Sequence, residues 1–148
     1  MLTVSSSRSS ETDVAGDALS RLITADGFEL SERALVADKT EAIAQSLRSL
    51  ATGADVVLTT GGTGLTADDV TPEATHLVID REVPGIAEAL RAASLTQTPM
   101  AMLSRATAGT IDRCLIVNLP GSPQACEQCF AVLSPVLAHA HDLLTRAP

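Results

Sequence analysis

The sequence predicts an α/β protein, a three-layer fold in which helices cover both faces of a mostly parallel sheet. Short apolar runs rich in β-branched residues alternate along the chain with segments of helical period, which is typical of repeated strand–helix units. Loops rich in Gly, Ser, Thr and Asp follow the predicted strands. Because ligands bind beyond the carboxyl ends of the strands in open α/β sheets, these loops are expected to form one site.

In the first half of the chain, three apolar runs predict buried strands, and two segments of helical period lie between them. The strands are predicted at residues 2–4, 34–36 and 56–58. The helices are predicted at residues 13–25 and 38–52.

Acidic residues mark the starts of both helices. Asp13 fits an N-cap, and Asp38 with Glu41 three positions later fits a capping box. The apolar face of the first helix is expected to consist of Val14, Ala18, Leu22 and Ile23.

In the second half, prolines and apolar runs divide the chain. Pro135 is expected to kink or split the last helix, because proline removes a backbone donor. Strands are predicted at 100–103 and 114–119, and helices at 72–82, 84–94 and 123–146.

The central stretch, residues 59–75, carries the highest density of loop-forming and ligand-binding residue types. Closely spaced glycines let backbone amides approach a ligand, and Thr71-Pro72 predicts the start of a helix, with Thr71 as N-cap. This layout suits a phosphate-bearing ligand and a divalent cation. The glycines are Gly61, Gly62 and Gly64, and the carboxylates are Asp68 and Asp69.

Three interpretations of the central stretch remain open from the residues alone. It is a capped turn, a phosphate-transfer loop or a dinucleotide-binding loop. Gly62, Gly64 and Ala67 fit a relaxed dinucleotide pattern, but the match lies mid-chain and Pro72 delays the helix. The Gly-Lys-Ser/Thr of a Walker loop does not occur.

The composition predicts one domain over residues 1–148 with an aliphatic core. Hydrophobic residues make up 45% of the chain and aromatic residues 1%, so aromatic stacking is not expected to hold a ring. The formal charge of −8 argues against nucleic acid and anionic membranes as partners. No apolar run reaches membrane-spanning length, and three cysteines without a secretory segment fit a reducing cytoplasm.

The central stretch resembles the signature of the MoaB/Mog family of molybdenum cofactor biosynthesis proteins. Thr-Thr-Gly-Gly-Thr-Gly begins at Thr59, and Asp-Val-Thr-Pro-Glu-Ala-Thr begins at Asp69, at the family's spacing. Further similar segments extend the resemblance over almost the whole chain, at residues 3–8, 13–16, 101–109 and 118–123.

The resemblance implies a molybdopterin-binding domain-like fold and an adenylyl transfer. Active family members bind molybdopterin and adenylylate it with ATP and Mg²⁺, which releases pyrophosphate. Other members have little or no activity, which leaves a molybdopterin-binding carrier or scaffold as the alternative. The family also implies a trimer or hexamer, with other molybdenum cofactor biosynthesis proteins as possible partners.

The resemblance also assigns site residues. Asp69 and Asp38 are the candidate catalytic residues and Mg²⁺ ligands. Two positions depart from the family, because Ser6 stands where Asp is common and Asp68 where a basic residue is common. The candidate substrate- and nucleotide-binding residues are Thr60, Gly61, Gly62, Thr63, Gly64, Asp13, Ser104, Arg105, Pro120, Gly121 and Ser122.

Several of these residues keep a structural interpretation beside the functional one. Asp13 and Asp38 also fit helix caps, Arg105 fits a surface salt bridge, and residues 5–7 fit a flexible turn. Cys126 and Cys129 are interpreted as small packed residues rather than a redox or zinc pair. His76 is interpreted as a surface or boundary residue rather than a metal ligand, and His139 and His141 are too close in sequence to share a helix face as a metal pair.

Overall fold

The computed structural model describes residues 1–9 and 11–146, and its centre is a six-stranded sheet of order β2-β1-β3-β6-β5-β4. The first three pairings are parallel and the last two are antiparallel, so β5 runs against the other described strands. The predicted α/β class and mostly parallel sheet are confirmed. The strands are β1 (Leu2–Val4), β2 (Ala34–Val36), β3 (Val56–Thr60), β4 (Arg81–Glu82), β5 (Ala108–Ile111) and β6 (Cys114–Leu119).

Helices cover both faces of this sheet. Helices α1, α4 and α5 pack on one face, and α2 and α3 pack on the other. Pro135 lies inside α5, which continues through it, so the predicted split is absent from the described part of the chain. The helices are α1 (Val14–Ala25), α2 (Thr40–Ala51), α3 (Thr71–His76), α4 (Pro84–Leu95), a short 3₁₀ helix (Pro99–Leu103) and α5 (Pro123–Thr145).

The central strand β6 contributes to both cores because its side chains alternate between the faces. Leu115, Val117 and Leu119 join the core beneath α1, α4 and α5, whereas Cys114 and Ile116 join the core beneath α2 and α3. Each fully buried aliphatic side chain of this kind contributes about 1.5–3 kcal/mol. The expected aliphatic core is therefore present on both faces. Over residues 1–9 and 11–146, no helix has the length and apolarity needed to cross a bilayer.

Two predicted apolar faces differ from the structure. Asp13 points inward as the N-cap of α1, which sets the phase of the helix so that Ala15, Leu19 and Ile23 face the sheet. Val14 is consequently 59% exposed. β2 is also less buried than predicted, because it is an edge strand and its Leu35 is exposed.

The helix predicted at 72–82 ends early. α3 stops at His76, and the chain then joins the sheet, where the amide of Asp80 donates to the carbonyl of Thr110 at 2.7 Å. The two-residue strand β4 follows. Two charged residues, Arg81 and Glu82, carry no strand pattern, so this edge strand was missed.

The strand predicted at 100–103 is wrong. Thr98 caps a 3₁₀ helix that begins at Pro99, and its Met100 is 62% exposed. A second strand that was missed is β5, in which Gly109 makes room for the side chain of Ile79. Glycine has low strand propensity, so close packing at this position concealed the strand from the sequence pattern.

Candidate functional site

The strand order brings separate loops to one edge of the sheet. After β1 the chain turns to β2 on one side, and it returns to β3 on the other side of β1, which makes the β1/β3 boundary a switch point. Thr60 at the end of β3 lies opposite Leu119 at the end of β6. The loops after β1, β2, β3 and β6 therefore leave the sheet at the same edge.

Two glycines of the central stretch have backbone angles that favour glycine. Gly61 has φ +101° and Gly62 has φ +65°. A Cβ atom on Gly61 would lie 2.3 Å from the carbonyl oxygen of Val4, and one on Gly62 would lie 2.3 Å from the hydroxyl of Thr71. The loop after β3 is therefore packed directly against β1 and the start of α3.

The loop at residues 120–122 contacts residues 61–64 after β3, which we call the glycine loop. The hydroxyl of Thr60 donates to the carbonyl of Pro120 at 2.8 Å. A Cβ atom on Gly121 would lie 3.2 Å from Cα of Gly61. Ser122 caps α5 as predicted and accepts a hydrogen bond from the amide of Ala125 at 3.2 Å.

The segment before β5 contacts the opposite side of the glycine loop. The backbone amide of Arg105 donates to the carbonyl of Thr63 at 2.9 Å, and the side-chain Nε of Arg105 donates to the carbonyl of Gly64 at 2.7 Å. The two terminal nitrogens donate to the carbonyl of Asp69 and the carboxylate of Glu73. Arg105 thus forms the surface salt bridge and also holds the central loop closed.

Asp69 is an ionised carboxylate inside this loop. It accepts hydrogen bonds from the amide of Thr66 at 2.9 Å and from the hydroxyl of Thr66 at 2.6 Å. Burial opposes ionisation, but these bonds, the amide of Gly64 and the charge of Arg105 hold the pKa of Asp69 below its ordinary value. The carboxylate is therefore charged at neutral pH and able to bind a cation.

Thr71 and Asp38 do not form the predicted caps. Thr71 is the first residue of α3 rather than its N-cap, and its hydroxyl donates to the carbonyl of Gly61 at 2.9 Å. Asp38 accepts from the amide of Ser6 at 2.5 Å, and its own amide donates to the hydroxyl of Ser6 at 3.0 Å. Because Asp38 is hydrogen-bonded to Ser6 in the loop after β1, it does not cap α2. Lys39 occupies the N-cap position without a side-chain hydrogen bond.

Asp13 lies beneath the loops rather than at their surface. Its carboxylate is 1% exposed and accepts from the hydroxyl of Thr3 at 2.6 Å and the amide of Gly16 at 2.9 Å. Burial opposes ionisation, but these bonds and the guanidinium of Arg33 at 2.9 Å hold the pKa of Asp13 below its ordinary value. The cap interpretation of Asp13 is confirmed. This buried carboxylate joins β1, the start of α1 and Arg33 under the loops of the site.

A cavity of about 270 Å³ opens beside the glycine loop. Thr63, Gly64, Ser104 and Pro120 line its edge near the loops. Most of the remaining wall is apolar and comes from α4, the 3₁₀ helix and α5, with Leu90, Met100 and Cys129 among its residues. The part of this wall formed by the 3₁₀ helix was not predicted, because residues 100–103 were expected to form a strand.

Neither phenylalanine of the chain lines this cavity. Phe28 and Phe130 both line a second cavity, of about 310 Å³, beside Met1 and Val56 at the opposite edge of the sheet. A ring held beside the glycine loop would therefore contact aliphatic and backbone groups.

The cysteines and the described histidine contacts give no separate chemical centre. Burial raises the pKa of Cys114 and of Cys126 to about 11 and also raises the pKa of Cys129, so all three thiols are protonated and packed. His76 and His141 lie 3.3 Å from the carboxylates of Glu82 and Asp55, respectively. Within residues 1–9 and 11–146, no group of three or more His, Cys, Asp or Glu could hold a metal ion.

The donor set nevertheless fits Mg²⁺ bound together with a nucleotide. Mg²⁺ in phosphate-transfer sites uses one or two carboxylates, and substrate phosphates and water complete its ligands. Asp69 follows β3 and Asp38 follows β2, so the two carboxylates lie at the same edge of the sheet, with the loop after β1 between them. A preformed cluster of three protein ligands is not required for such binding.

The fold and these contacts define an α/β protein with a glycine-lined site and flanking carboxylates at the switch point of its sheet. The family model described as a probable molybdopterin binding domain matches residues 1–139. The chain therefore belongs to the molybdopterin-binding domain family, and the resemblance to MoaB/Mog proteins is confirmed.

Relatives and solved structures agree with this assignment. The chain is 40% identical over 112 residues to the molybdopterin adenylyltransferase of Helicobacter pylori, an alignment that covers 74% of this chain and 64% of that protein. It is 37% identical over 144 residues to molybdenum cofactor biosynthesis protein B of Bacillus cereus, covering 94% of this chain and 85% of that one. The crystal structure of the molybdopterin biosynthesis enzyme MoaB from Thermus thermophilus is 44% identical, with a TM-score of 0.88 and coverage of 99% and 95%.

Proposed function

We propose that this chain, acting as one domain, is a molybdopterin adenylyltransferase that transfers AMP from ATP to the terminal phosphate of molybdopterin and releases pyrophosphate. The observation that carries the proposal is the contact between the glycine loop and the loop at 120–122, with the ionised Asp69 beside them. The adenylyltransferase name of the Helicobacter pylori relative supports the reaction type, although this chain spans 64% of that protein's length.

Backbone amides at the site are available to hold phosphate oxygens. Gly61 is not among them, because its amide donates to the carbonyl of Leu119 at 3.2 Å. Among the described contacts, no protein acceptor occupies the amides of Gly62, Thr63, Gly121 or Ser122. Ser122 also lies at the N-terminus of α5, where the helix dipole favours an anion.

The proposed reaction is an in-line displacement at phosphorus. An oxygen of the molybdopterin phosphate attacks the α-phosphorus of ATP, the bond to the β-phosphate oxygen breaks, and pyrophosphate leaves with that electron pair. A phosphate oxygen needs no strong base at neutral pH, so the protein's part is positioning and charge neutralisation. This mechanism accounts for a site without a nucleophilic cysteine, since Cys126 and Cys129 are buried thiols.

The two aspartates would hold Mg²⁺ at this edge of the sheet. When bound, Mg²⁺ neutralises phosphate charge and stabilises the pyrophosphate leaving group. The hydrogen bonds of Asp69 to Thr66 fix one carboxylate in the loop, and those of Asp38 to Ser6 fix the other. The cavity beside Thr63 and Gly64 offers an apolar space for one of the two ring systems, pterin or adenine.

The alternative is a molybdopterin-binding homologue with weak or no catalysis, acting as carrier or scaffold. Asp68 favours it, because an exposed carboxylate beside the site adds repulsion toward a polyanion. An oxidoreductase that binds a dinucleotide is a weaker alternative, which quenching of NAD(P)H fluorescence would test. A cytoplasmic location, a trimeric or hexameric assembly and other molybdenum cofactor biosynthesis proteins as partners belong to the same proposal.

A coupled assay for adenylylated molybdopterin tests the enzyme directly. We expect pyrophosphate release and adenylylated product to appear together, and only with Mg²⁺, ATP and molybdopterin all present. Isothermal titration with molybdopterin and with Mg·ATP separates the alternatives. Tight molybdopterin binding without turnover would replace the enzyme by the binding module, and binding of neither would refute both.

A further inference from the structure

Arg8 is a second cation at the site, in addition to Arg105. Arg8 lies in the loop after β1, and its side chain crosses to the loop after β6, where Nη2 donates to the carbonyl of Gly121 at 3.1 Å. Its Nη1 lies 3.9 Å from the carboxylate of Asp13, and the side chain is 32% exposed. The guanidinium is therefore placed above a buried carboxylate and beside the glycine contact.

Neutralising Asp13 does not account for this arginine. The carboxylate of Asp13 already accepts from Thr3, from Gly16 and from Arg33 at 2.9 Å. At 3.9 Å the contact with Arg8 is electrostatic and lies beyond hydrogen-bond distance. Asp13 therefore attracts the guanidinium of Arg8 but accepts no hydrogen bond from it, so the N–H donors of Arg8 are not used on Asp13.

Arg8 also differs from Arg105, the cation assigned to the site from the sequence. Arg105 donates to the carbonyls of Gly64 and Asp69 and to the carboxylate of Glu73, so most of its donors hold the loop. A guanidinium carries five N–H donors, and one donor of Arg8 is used on Gly121. The remaining donors suit bidentate binding of a phosphate.

We propose that Arg8 binds the polyphosphate of the nucleotide and is held in place by its hydrogen bond to the carbonyl of Gly121 and by the buried carboxylate of Asp13. This inference rests on the proposed nucleotide binding at the same site. A binder for a polyanion in a chain of net charge −8 requires a local positive group, and Arg8 supplies one where the loops meet. The contribution is expected to depend on the phosphates and not on the nucleoside.

Arg8→Met and Arg8→Lys test the role, and Arg33→Met is the matched control. Arg33 pairs with Asp13 more closely than Arg8 does, so a merely structural role of Arg8 predicts an equal or larger effect in the control. The probes are Mg·ATP and adenosine, each titrated calorimetrically into the full chain. Urea unfolding of each variant establishes that it is folded under the conditions of the titration.

We expect Arg8→Met to weaken Mg·ATP binding by about tenfold or more, the effect of one lost charge-assisted hydrogen bond, while adenosine binding changes less than about twofold. Arg8→Lys keeps the charge without the planar fork and is expected to lose about threefold to tenfold toward Mg·ATP alone. If Arg8→Met does not fold, that selective loss in Arg8→Lys decides the question.

Three results would overturn the inference. The first is an Arg8→Met or Arg8→Lys variant that binds Mg·ATP as the wild type does, which leaves the proposed function intact. The second is an equal loss in Arg33→Met, which makes Arg8 a structural partner of Asp13. The third is a wild-type chain that binds no Mg·ATP, in which case the proposed function fails as well.

Discussion

The Nε atom of Arg105 donates to the main-chain carbonyl of Gly64 over 2.7 Å, and this bond joins segments that are 41 positions apart. The same guanidinium reaches the carbonyl of Asp69, so one side chain spans both ends of the exposed part of the loop. The conformation of the glycine loop therefore depends on a residue from another segment of the fold.

Arg105→Lys should loosen this loop without unfolding the protein. An ammonium group cannot reproduce the planar fork, so the acceptors on Gly64 and Asp69 lose a shared donor. We expect a loss of about 1–2 kcal/mol, reduced by partial exposure, and hydrogen exchange at residues 61–70 that is about tenfold faster. Arg113→Lys, in the exposed turn before β6, is the control. Unchanged hydrogen exchange in Arg105→Lys would show that Arg105 does not hold the glycine loop closed.

Asp69→Asn should abolish adenylyl transfer while the melting temperature stays nearly constant. The asparagine oxygen still accepts from Thr66, but it carries no charge for a cation. Asp68→Asn is the matched control, because Asp68 is adjacent and exposed, and it should retain transfer. Product formation by Asp69→Asn at the wild-type rate would remove Asp69 from the mechanism.

Asp13→Asn should lower the free energy of unfolding by about 2–3 kcal/mol at pH 7, since the neutral amide loses charge-assisted bonds from Thr3, Gly16 and Arg33. The folded-state pKa of Asp13 lies below the ordinary value of 3.8, so its contribution is present above pH 3.8. That contribution disappears as the pH falls through the folded-state pKa.

Urea unfolding at pH 7 and at pH 3 or below tests this prediction. The wild type should lose more stability on acidification than Asp13→Asn does. Asp17→Asn is the control, because Asp17 also pairs with Arg33, at 2.6 Å, but is exposed, and its removal should cost less than about 1 kcal/mol. Parallel acid profiles of the wild type and Asp13→Asn would show that Asp13 is not the group responsible.

Gly61→Ala should destabilise the fold by about 2–4 kcal/mol through backbone strain and overpacking. Its φ of +101° is unfavourable for alanine, and the new Cβ would lie 2.3 Å from the carbonyl oxygen of Val4. Gly85→Ala lies in α4 with open space around the added methyl group, and it should stabilise by up to about 1 kcal/mol. Equal unfolding midpoints for the two variants would argue against the packed loop.

The three thiols should react slowly with a disulfide reagent in the native protein at pH 8. Burial raises the pKa of Cys114 and of Cys126 to about 11 and also raises the pKa of Cys129. Little of the reactive thiolate is therefore present at pH 8. All three should react rapidly in denaturant. One fast-reacting native thiol would reopen the redox interpretation of Cys126 and Cys129.

The sequence was informative wherever a local pattern determined the structure. The apolar run before Leu119 predicted β6 with its correct bounds, and the cap residues Asp13 and Ser122 have the predicted hydrogen bonds. The loops after β3 and β6 were predicted to meet because parallel strands end at one edge, and the contact between Gly61 and Gly121 bears this out. The loop at 104–107 was expected there as well, but it precedes the antiparallel strand β5 rather than following a parallel one.

Two errors involve distant contacts, and one overlooked a local helix start. Asp38 has the spacing of a capping box, but Ser6, 32 positions away, engages its carboxylate. Residues 100–103 are apolar enough for a strand, yet Pro99 and Thr98 start a 3₁₀ helix there. Arg8 was not assigned to the site because its bond to Gly121 spans 113 positions, which no local pattern records.

The division of the site between distant parts of the chain has a consequence for splitting the protein. The turn at Asp112 and Arg113 precedes β6 and lies at the edge away from the glycine loop. A cut there would separate Gly61 from Gly121, so each fragment would carry half of the binding surface. Ligand affinity would return only when the two fragments reassemble with β6 between β3 and β5, which would make nucleotide binding a direct reporter of fragment complementation.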